Sequence, residues 1–204
     1  ALKLLTQSLA GDSVLRVAGI VKAARPEFRV IHYVAPSVWA WRPGRAAKMA
    51  RVVDHVLALL PFEPPYMTAA GMTCDFVGHP VVSEPLATET ERAAHHGKGP
   101  LLLALPGSRQ SEVTRLAPVF GDVIRRLKAT HPDLRVALPT VRGVADLVRE
   151  LTATWAIQPK IITDPSTKRG AFARADVALA ASGTVSLELA ANGCPMVIAY
   201  DMHW

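Results

Sequence analysis

The sequence predicts an α/β protein built on parallel, doubly wound sheets. Short apolar runs alternate with longer segments of helical periodicity through the second half of the chain, which is typical of βαβ units. The run 101–105 contains no polar residue, as expected for a strand that helices cover on both faces. Of the 204 residues 50% are hydrophobic, so the chain can bury the core of one large domain or of two small ones.

The first part of the chain begins this alternation. Helical spacing of apolar residues predicts a helix at 15–24, and Pro26 ends it before the alternating strand 29–34. A proline-flanked loop that carries Trp39 and Trp41 follows. The other elements predicted here are helices 44–53 and 66–70 and strands 54–59 and 74–77.

A polar, charged connector between Ser83 and Pro100 predicts a domain boundary. Beyond it, strands and helices alternate regularly. The strands predicted there are 101–105, 134–138, 160–163, 177–181 and 196–200, and the helices are 112–130, 143–153, 166–174 and 184–192. The predicted domains are therefore 1–97 and 98–204.

The chain is basic, with 23 Lys and Arg residues against 17 Asp and Glu residues and a formal net charge of +6. This balance indicates an anionic partner, and the scatter of the basic residues disfavours nucleic acid. The helically spaced group Arg42, Arg45, Lys48 and Arg51 suits lipid head groups or phosphates, with a solvated helix surface as the alternative.

Cysteine usage and hydropathy set the expected compartment. The chain has only 2 cysteines and no Cys or His pair at zinc-ligand spacing, which indicates a reducing compartment and no bound metal. It contains no apolar run of about 18 residues and no recognisable secretory signal. We therefore expect a chain that neither spans a membrane nor is exported.

Two turns between a strand and a helix have the composition of a phosphate site. Leu105-Pro106-Gly107-Ser108-Arg109 closes the strand 101–105, and Ala181-Ser182-Gly183-Thr184 closes the strand 177–181. Glycine lets backbone N–H groups approach an anion closely, and a helix N-terminus carries partial positive charge. A nucleoside diphosphate is therefore the first candidate ligand.

In the first turn, Gly107 permits close approach and Arg109 offers a planar, permanently charged group to two phosphate oxygens. Ser108 offers a further hydrogen bond. Glu112 is expected either to cap the helix backbone or to hold Arg109 in place. A turn with a surface arginine is the alternative interpretation.

In the second turn, Ser182 and Thr184 offer hydroxyls on either side of Gly183. Glu188 lies one turn into the following helix, where a carboxylate suits the vicinal hydroxyls of a ribose. An ordinary capped helix with Gly193 as its C-terminal stop is the alternative.

Beyond these turns, the chain carries a set of unusual local sequences at 31–45, 60–64, 76–80, 105–109 and 181–188. In order and spacing they closely resemble the lipid-A-disaccharide synthase family. The run Ser37-Val38-Trp39-Ala40-Trp41-Arg42-Pro43-Gly44-Arg45 makes the resemblance specific. It also argues against the alternative of another UDP-sugar enzyme of similar architecture, such as a muramyl-pathway transferase or a UDP-N-acetylglucosamine 2-epimerase.

The resemblance implies a GT-B glycosyltransferase with two Rossmann-like domains, an acceptor-side domain at 1–97 and a nucleotide-sugar-binding domain at 98–204. The implied reaction is inverting and uses no metal or other cofactor. It moves 2,3-diacylglucosamine from UDP-2,3-diacylglucosamine to the 6-hydroxyl of 2,3-diacylglucosamine 1-phosphate, which gives lipid A disaccharide 1-phosphate and UDP. The implied location is cytoplasmic, peripheral on the inner membrane of a Gram-negative bacterium, and self-association is left open.

The resemblance also implies catalytic roles. Arg109 and the second turn would neutralise the charge that develops on the departing UDP, and Glu188 would orient its ribose. The implied base is an acid shortly before the helix that precedes strand 29–34. Only Asp12 stands in that neighbourhood, so Asp12 is the candidate base.

Three further residues are candidates for contact with the acceptor or with lipid. His79 is a candidate contact to donor or acceptor, with packing as its alternative. Trp39 and Trp41 are candidates for an apolar wall against acyl chains or for the membrane interface, because indole suits a site that is wet at one end and apolar at the other. Core packing is the alternative for both.

The chain departs from the family pattern at both ends. Family members begin with a Gly-rich strand and a Gly-Glu-x-Ser-Gly-Asp turn, which is not recognisable in residues 1–10, and they continue past a strand such as 196–200. We therefore expect a fragment with an incomplete N-terminal domain and a C-terminal domain truncated at its end. The alternative is that the chain is a non-catalytic fragment whose function is to bind UDP or anionic lipid.

Overall fold

The computed structural model describes residues 11–40 and 42–200, and the chain divides into two compact units, Ala1–Ser83 and Glu84–Trp204. The elements of the first unit are α1 (Gly11–Ala24), β1 (Ile31–Tyr33), α2 (Gly44–Met49), β2 (His55–Ala58), α3 (Pro64–Ala69) and β3 (Thr73–Phe76). Those of the second unit are α4 (Glu89–Ala93), β4 (Leu101–Leu105), α5 (Gln110–Thr130), β5 (Arg135–Pro139), α6 (Ala145–Thr152), β6 (Lys160–Ile162), α7 (Pro165–Arg174), β7 (Val177–Ala181), α8 (Val185–Ala191) and β8 (Met196–Ala199). Short 3₁₀ helices lie at Pro80–Ser83 and Arg142–Val144.

The sheet of the second unit has a reversal in its strand order. Its five strands are all parallel and run β6-β5-β4-β7-β8. The chain proceeds outward from β4 to β6 and then returns to place β7 on the other side of β4, with Leu105 opposite Ala180. Open α/β sheets leave a crevice at the carboxyl ends of the strands where the order reverses. The topology therefore places a crevice between the ends of β4 and β7.

Alternate residues of β4 enter two separate cores, one on each face of this sheet. Leu102 packs in a core with Phe120 of α5, and Leu103 packs in a second core with Phe172 of α7. All five residues of β4 are buried, as the apolar run predicts. Each fully buried large side chain contributes about 1.5–3 kcal/mol to the stability of the fold. The strand that leads into the first turn is therefore firmly held.

A helix that the sequence analysis did not predict lies in the connector before β4. Thr88 and Glu91 form a reciprocal capping box at the start of α4. The helix then packs on α7, where Arg169 Nη2 donates to Glu91 Oε1 at 2.5 Å. The buried His95 donates through Nε2 to the carbonyl of Thr167 at 3.0 Å, and burial lowers its pKa. These contacts attach the connector to the second unit, so the units divide at Ser83 rather than at 97.

The first unit is a three-stranded parallel sheet in the order β1-β2-β3 over a core that includes Val56 and Met67. The helix predicted at 44–53 ends at Met49. The chain then turns to Asp54, whose carboxylate accepts hydrogen bonds from Val30 N, just before β1, at 2.7 Å and from Lys22 Nζ of α1 at 2.9 Å.

The shorter helix corrects the prediction of a basic helical face. Arg45 and Lys48 lie in α2, whereas Arg42 precedes the helix and Arg51 follows it. Within residues 11–40 and 42–200, no helix combines the length and apolar character that crossing a bilayer requires.

Candidate functional site

A cleft of about 500 Å³ lies at the reversal in the second sheet, at the carboxyl ends of β4, β5 and β7. The seven residues that the sequence assigns to the nucleotide sugar all line it: Gly107, Ser108, Arg109, Ser182, Gly183, Thr184 and Glu188. More than seventy residues separate the two turns along the chain, and the pairing of β4 with β7 brings them to one place.

In the first turn, the carboxylate of Glu112 engages the donors of the helix start. Its Oε2 accepts from Ser108 N at 3.0 Å and from Arg109 N at 3.3 Å, and its Oε1 accepts from Arg109 Nη1 at 2.6 Å. Burial alone would raise the pKa of Glu112, but these hydrogen bonds outweigh it and lower the pKa. Glu112 thus caps the backbone and also holds Arg109, which the sequence analysis treated as alternatives.

Gly107 makes this arrangement sterically feasible. Its φ of 125° lies in a region that residues with a side chain rarely adopt. A Cβ at this position would come within 2.5 Å of Glu112 Cβ. The glycine is therefore required for the Glu112 cap.

The second turn is open to the cleft. Ser182, Gly183 and Thr184 are all exposed, and a Cβ on Gly183 would meet nothing within 4 Å. Thr184 stands at the start of α8, but its side chain makes no capping hydrogen bond. The hydroxyl of Thr184 is thus not engaged in the helix cap that the alternative interpretation required.

Lys168 is a residue of the cleft that the sequence analysis missed. It lies in the first turns of α7, and its Nζ forms an ion pair with Glu188 Oε2. The start of α7 is fixed by Asp164, whose pKa is lowered to about 2 by hydrogen bonds from the Ser166 hydroxyl and from the backbone and hydroxyl of Thr167. Lys168 reaches the cleft because α7 follows β6, and the sequence patterns did not show which strands pair with β6.

Thr140, directly after β5, is a second residue missed from the sequence. It lines the cleft, and its Oγ1 is buried with no hydrogen-bond partner among the residues the structure describes. Leaving a hydroxyl buried without a partner costs free energy. Thr140 therefore joins the candidate ligand contacts.

The remaining candidates belong to the first unit. Trp39 is 44% exposed and its ring meets Phe62 edge to face at 5.2 Å, so it is not part of the core of this unit. His79 is partly buried, and its Nδ1 accepts from Val81 N at 3.2 Å. Asp12 falls in the first turn of α1, but its side chain is outside the described part of the structure. Trp41 as a whole is outside the described residues. The residues that are seen to line the cleft of the second unit all belong to that unit.

Electrostatically, the cleft contains two cations and two carboxylates arranged as ion pairs. Arg109 pairs with Glu112, and Lys168 pairs with Glu188. Among the residues that the structure describes, no group of three His, Cys, Asp or Glu side chains is arranged to hold a metal ion. Arginine and lysine side chains beside exposed turn backbone are the groups that proteins use to bind phosphates.

Comparison with known proteins identifies the family. A family model described as lipid-A-disaccharide synthetase matches residues 9–204, which is nearly the whole chain. The chain belongs to the lipid-A-disaccharide synthase family. This confirms the resemblance found in the sequence motifs.

Two curated relatives bear the name lipid-A-disaccharide synthase. The protein of Ruegeria pomeroyi is 61% identical over 207 residues, covering 95% of this chain and 51% of the relative. The protein of Rhodospirillum centenum is 50% identical over 199 residues, covering 95% of this chain and 50% of the relative. The chain thus spans about half the length of the lipid-A-disaccharide synthases it matches.

Solved structures confirm the fold class. A co-structure of Staphylococcus aureus MnaA with UDP has a TM-score of 0.59 at 11% identity and covers 97% of this chain and 64% of that chain. Anabaena HepE in complex with UDP-glucose has a TM-score of 0.56 at 11% identity. The match covers 91% of this chain and 57% of HepE. At such low identity the likeness concerns the fold alone, which is the parallel α/β fold of GT-B proteins.

Proposed function

We propose that the cleft binds the UDP part of UDP-2,3-diacylglucosamine and that the protein transfers the sugar, with inversion, to the 6-hydroxyl of 2,3-diacylglucosamine 1-phosphate. The products are lipid A disaccharide 1-phosphate and UDP. The observation that carries this proposal is the meeting of two glycine-containing turns, an arginine and a glutamate in one cleft at the strand reversal. Support comes from the names of the relatives and from the UDP in the MnaA co-structure.

In this proposal the cleft stabilises the leaving group. As the bond between sugar and diphosphate breaks, negative charge grows on the UDP oxygens, and fixed donors lower the energy of that state. Arg109 supplies a charged donor, and the exposed turn 182–184 supplies hydroxyl and backbone N–H groups. Glu188 accepts hydrogen bonds from the ribose hydroxyls, and Thr140 contributes a further hydroxyl contact.

The acceptor hydroxyl must lose its proton as it attacks the sugar. We assign this step to Asp12, since a carboxylate is a competent general base when it lies within hydrogen-bond reach. His79 is assigned to contact with donor or acceptor. Both residues are in the first unit, so the proposal assigns the acceptor to the first unit and the nucleotide to the second unit.

Both substrates carry acyl chains, so the proposal also includes the surface of the inner membrane as a partner and a peripheral location on its cytoplasmic side. Trp39, with its neighbour Trp41, is assigned to contact with acyl chains or with the membrane interface. The exposed ring of Trp39 and its contact with Phe62 support this assignment.

Trp39→Ala is expected to lower partitioning onto vesicles of phosphatidylethanolamine and phosphatidylglycerol about fivefold, because roughly 1 kcal/mol of apolar contact is lost. Co-sedimentation with the vesicles measures the effect. Tyr200→Ala is the matched control, since Tyr200 is an exposed aromatic residue of the second unit. Equal partitioning of wild type and Trp39→Ala would remove Trp39 from the lipid contact.

The proposed function is tested by titration calorimetry with UDP together with a transfer assay that uses radiolabelled UDP-2,3-diacylglucosamine. We expect saturable binding of UDP and formation of disaccharide. Binding without disaccharide would favour the UDP-binding module, and transfer from UDP-N-acetylglucosamine instead would favour another GT-B enzyme. Absence of both binding and transfer would contradict the proposal.

A further inference from the structure

The ion pair between Lys168 and Glu188 lies inside the cleft and joins two elements that are distant in sequence. We propose that Lys168 is a positioning residue that fixes the carboxylate of Glu188 for the ribose hydroxyls and so sets the preference for ribonucleotides. This inference rests on the proposed binding of UDP. It adds a residue that neither the motifs nor the two turns contain.

Lys168 is itself held by more than one contact. Its Nζ meets Glu188 Oε2 and also lies 5.1 Å from the centroid of the Phe172 ring, one helical turn further along α7. Phe172 is buried in the core of the second unit, and Asp164 caps the helix at its start. A flexible lysine is thus fixed by an aromatic face and a carboxylate, which lowers the entropy cost of orienting Glu188.

The pair also uses only one carboxylate oxygen. Lys168 engages Oε2 of Glu188, and within residues 11–40 and 42–200 no hydrogen bond reaches Oε1, so Oε1 can accept from a ligand hydroxyl. The side chains are 38% and 24% exposed, so the pair is partly shielded from water but open to the cleft. This geometry suits a carboxylate that is held from one side and accepts hydrogen bonds from the other.

Charge gives a second reason for the pair. A carboxylate beside a diphosphate repels it unless a cation neutralises the carboxylate, and the repulsion grows in a shielded cleft. Glu188 and the diphosphate-binding turns line the same cleft. Lys168 therefore allows a glutamate to serve the ribose without weakening the binding of the phosphates.

The test is calorimetry of UDP and of 2′,3′-dideoxy-UDP with wild type, Lys168→Met and Lys168→Arg. For wild type we expect at least about tenfold tighter binding of UDP, because hydrogen bonds to a charged group are strong. In Lys168→Met the preference is expected to fall to about threefold or less, with weaker binding of UDP. Lys168→Arg keeps the positive charge and is expected to restore part of the preference.

Lys98→Met is the matched control, since it removes a lysine from an exposed ion pair with Asp133 outside the cleft. It is expected to leave both affinities unchanged. Combining Lys168→Met with Glu188→Gln is expected to cost little more than Glu188→Gln alone, because both changes remove one interaction.

Two results would overturn the inference. If Lys168→Met weakens UDP and 2′,3′-dideoxy-UDP by the same factor, or changes neither, Lys168 does not position Glu188, although the proposed function stands. If wild type binds no UDP, the inference and the proposed function fail together. Thermal unfolding of each variant identifies any that has lost its fold, and Lys168→Arg then provides the comparison.

Discussion

Arg109→Ala is expected to raise the dissociation constant for UDP at least about tenfold while the fold stays intact. A charge-assisted hydrogen bond to a phosphate is worth about 1.5–3 kcal/mol, and its loss appears directly in the affinity. The side chain is 78% exposed, so the loss of its ion pair with Glu112 changes stability by less than about 1 kcal/mol. Calorimetry with UDP and thermal unfolding measure the two effects.

Arg125→Ala is the matched control for this prediction. Arg125 lies in α5, the helix that begins directly after Arg109, and it too pairs with an acid three residues away, Asp122, but outside the cleft. It is expected to leave UDP affinity unchanged. An unchanged affinity in Arg109→Ala, or an equal loss in Arg125→Ala, would show that Arg109 does not contact the diphosphate.

Gly170→Ala is expected to lower the free energy of unfolding by about 3 kcal/mol, the largest stability effect that we predict for a single methyl group. A Cβ at this buried position would come within 2.1 Å of the Glu91 carbonyl oxygen in α4. Because the obstacle is backbone, α4 must move away from α7, which strains the contact between Arg169 and Glu91 and the contact of His95 with Thr167.

Urea unfolding followed by circular dichroism measures this change. Gly143→Ala is the matched control, because a Cβ on Gly143 would meet nothing within 4 Å. It is expected to change the free energy of unfolding by less than about 0.5 kcal/mol. A Gly170→Ala variant as stable as Gly143→Ala would show that α4 does not pack closely on α7.

The strands of the five-stranded sheet in the second unit were predictable from the sequence because they are short, apolar and regularly spaced. The predicted strands 101–105 and 177–181 coincide with β4 and β7. The turns that follow them were predictable for the same reason, since a parallel α/β sheet places its ligand at the carboxyl ends of strands. The strand order, which brings the two turns together, was not visible in local patterns.

Interactions between distant residues account for what the sequence analysis missed. The local sequence gives Lys168 no feature that sets it apart from an ordinary surface lysine, and its contact with Glu188, 20 residues away, identifies its place in the cleft. Helix α4 is five residues long, too short for an apolar period, although Thr88 and Glu91 carried a capping-box signal. The early end of α2 goes with the contact of Asp54 to Val30, which lies 24 residues earlier in the chain.

The most direct test of the account is a crystal structure of the chain with UDP bound. We expect the diphosphate between the two turns, with Arg109 and the 182–184 backbone within hydrogen-bond distance of its oxygens and the ribose on Glu188. UDP bound elsewhere on the chain, or a diphosphate that touches neither turn, would contradict the account.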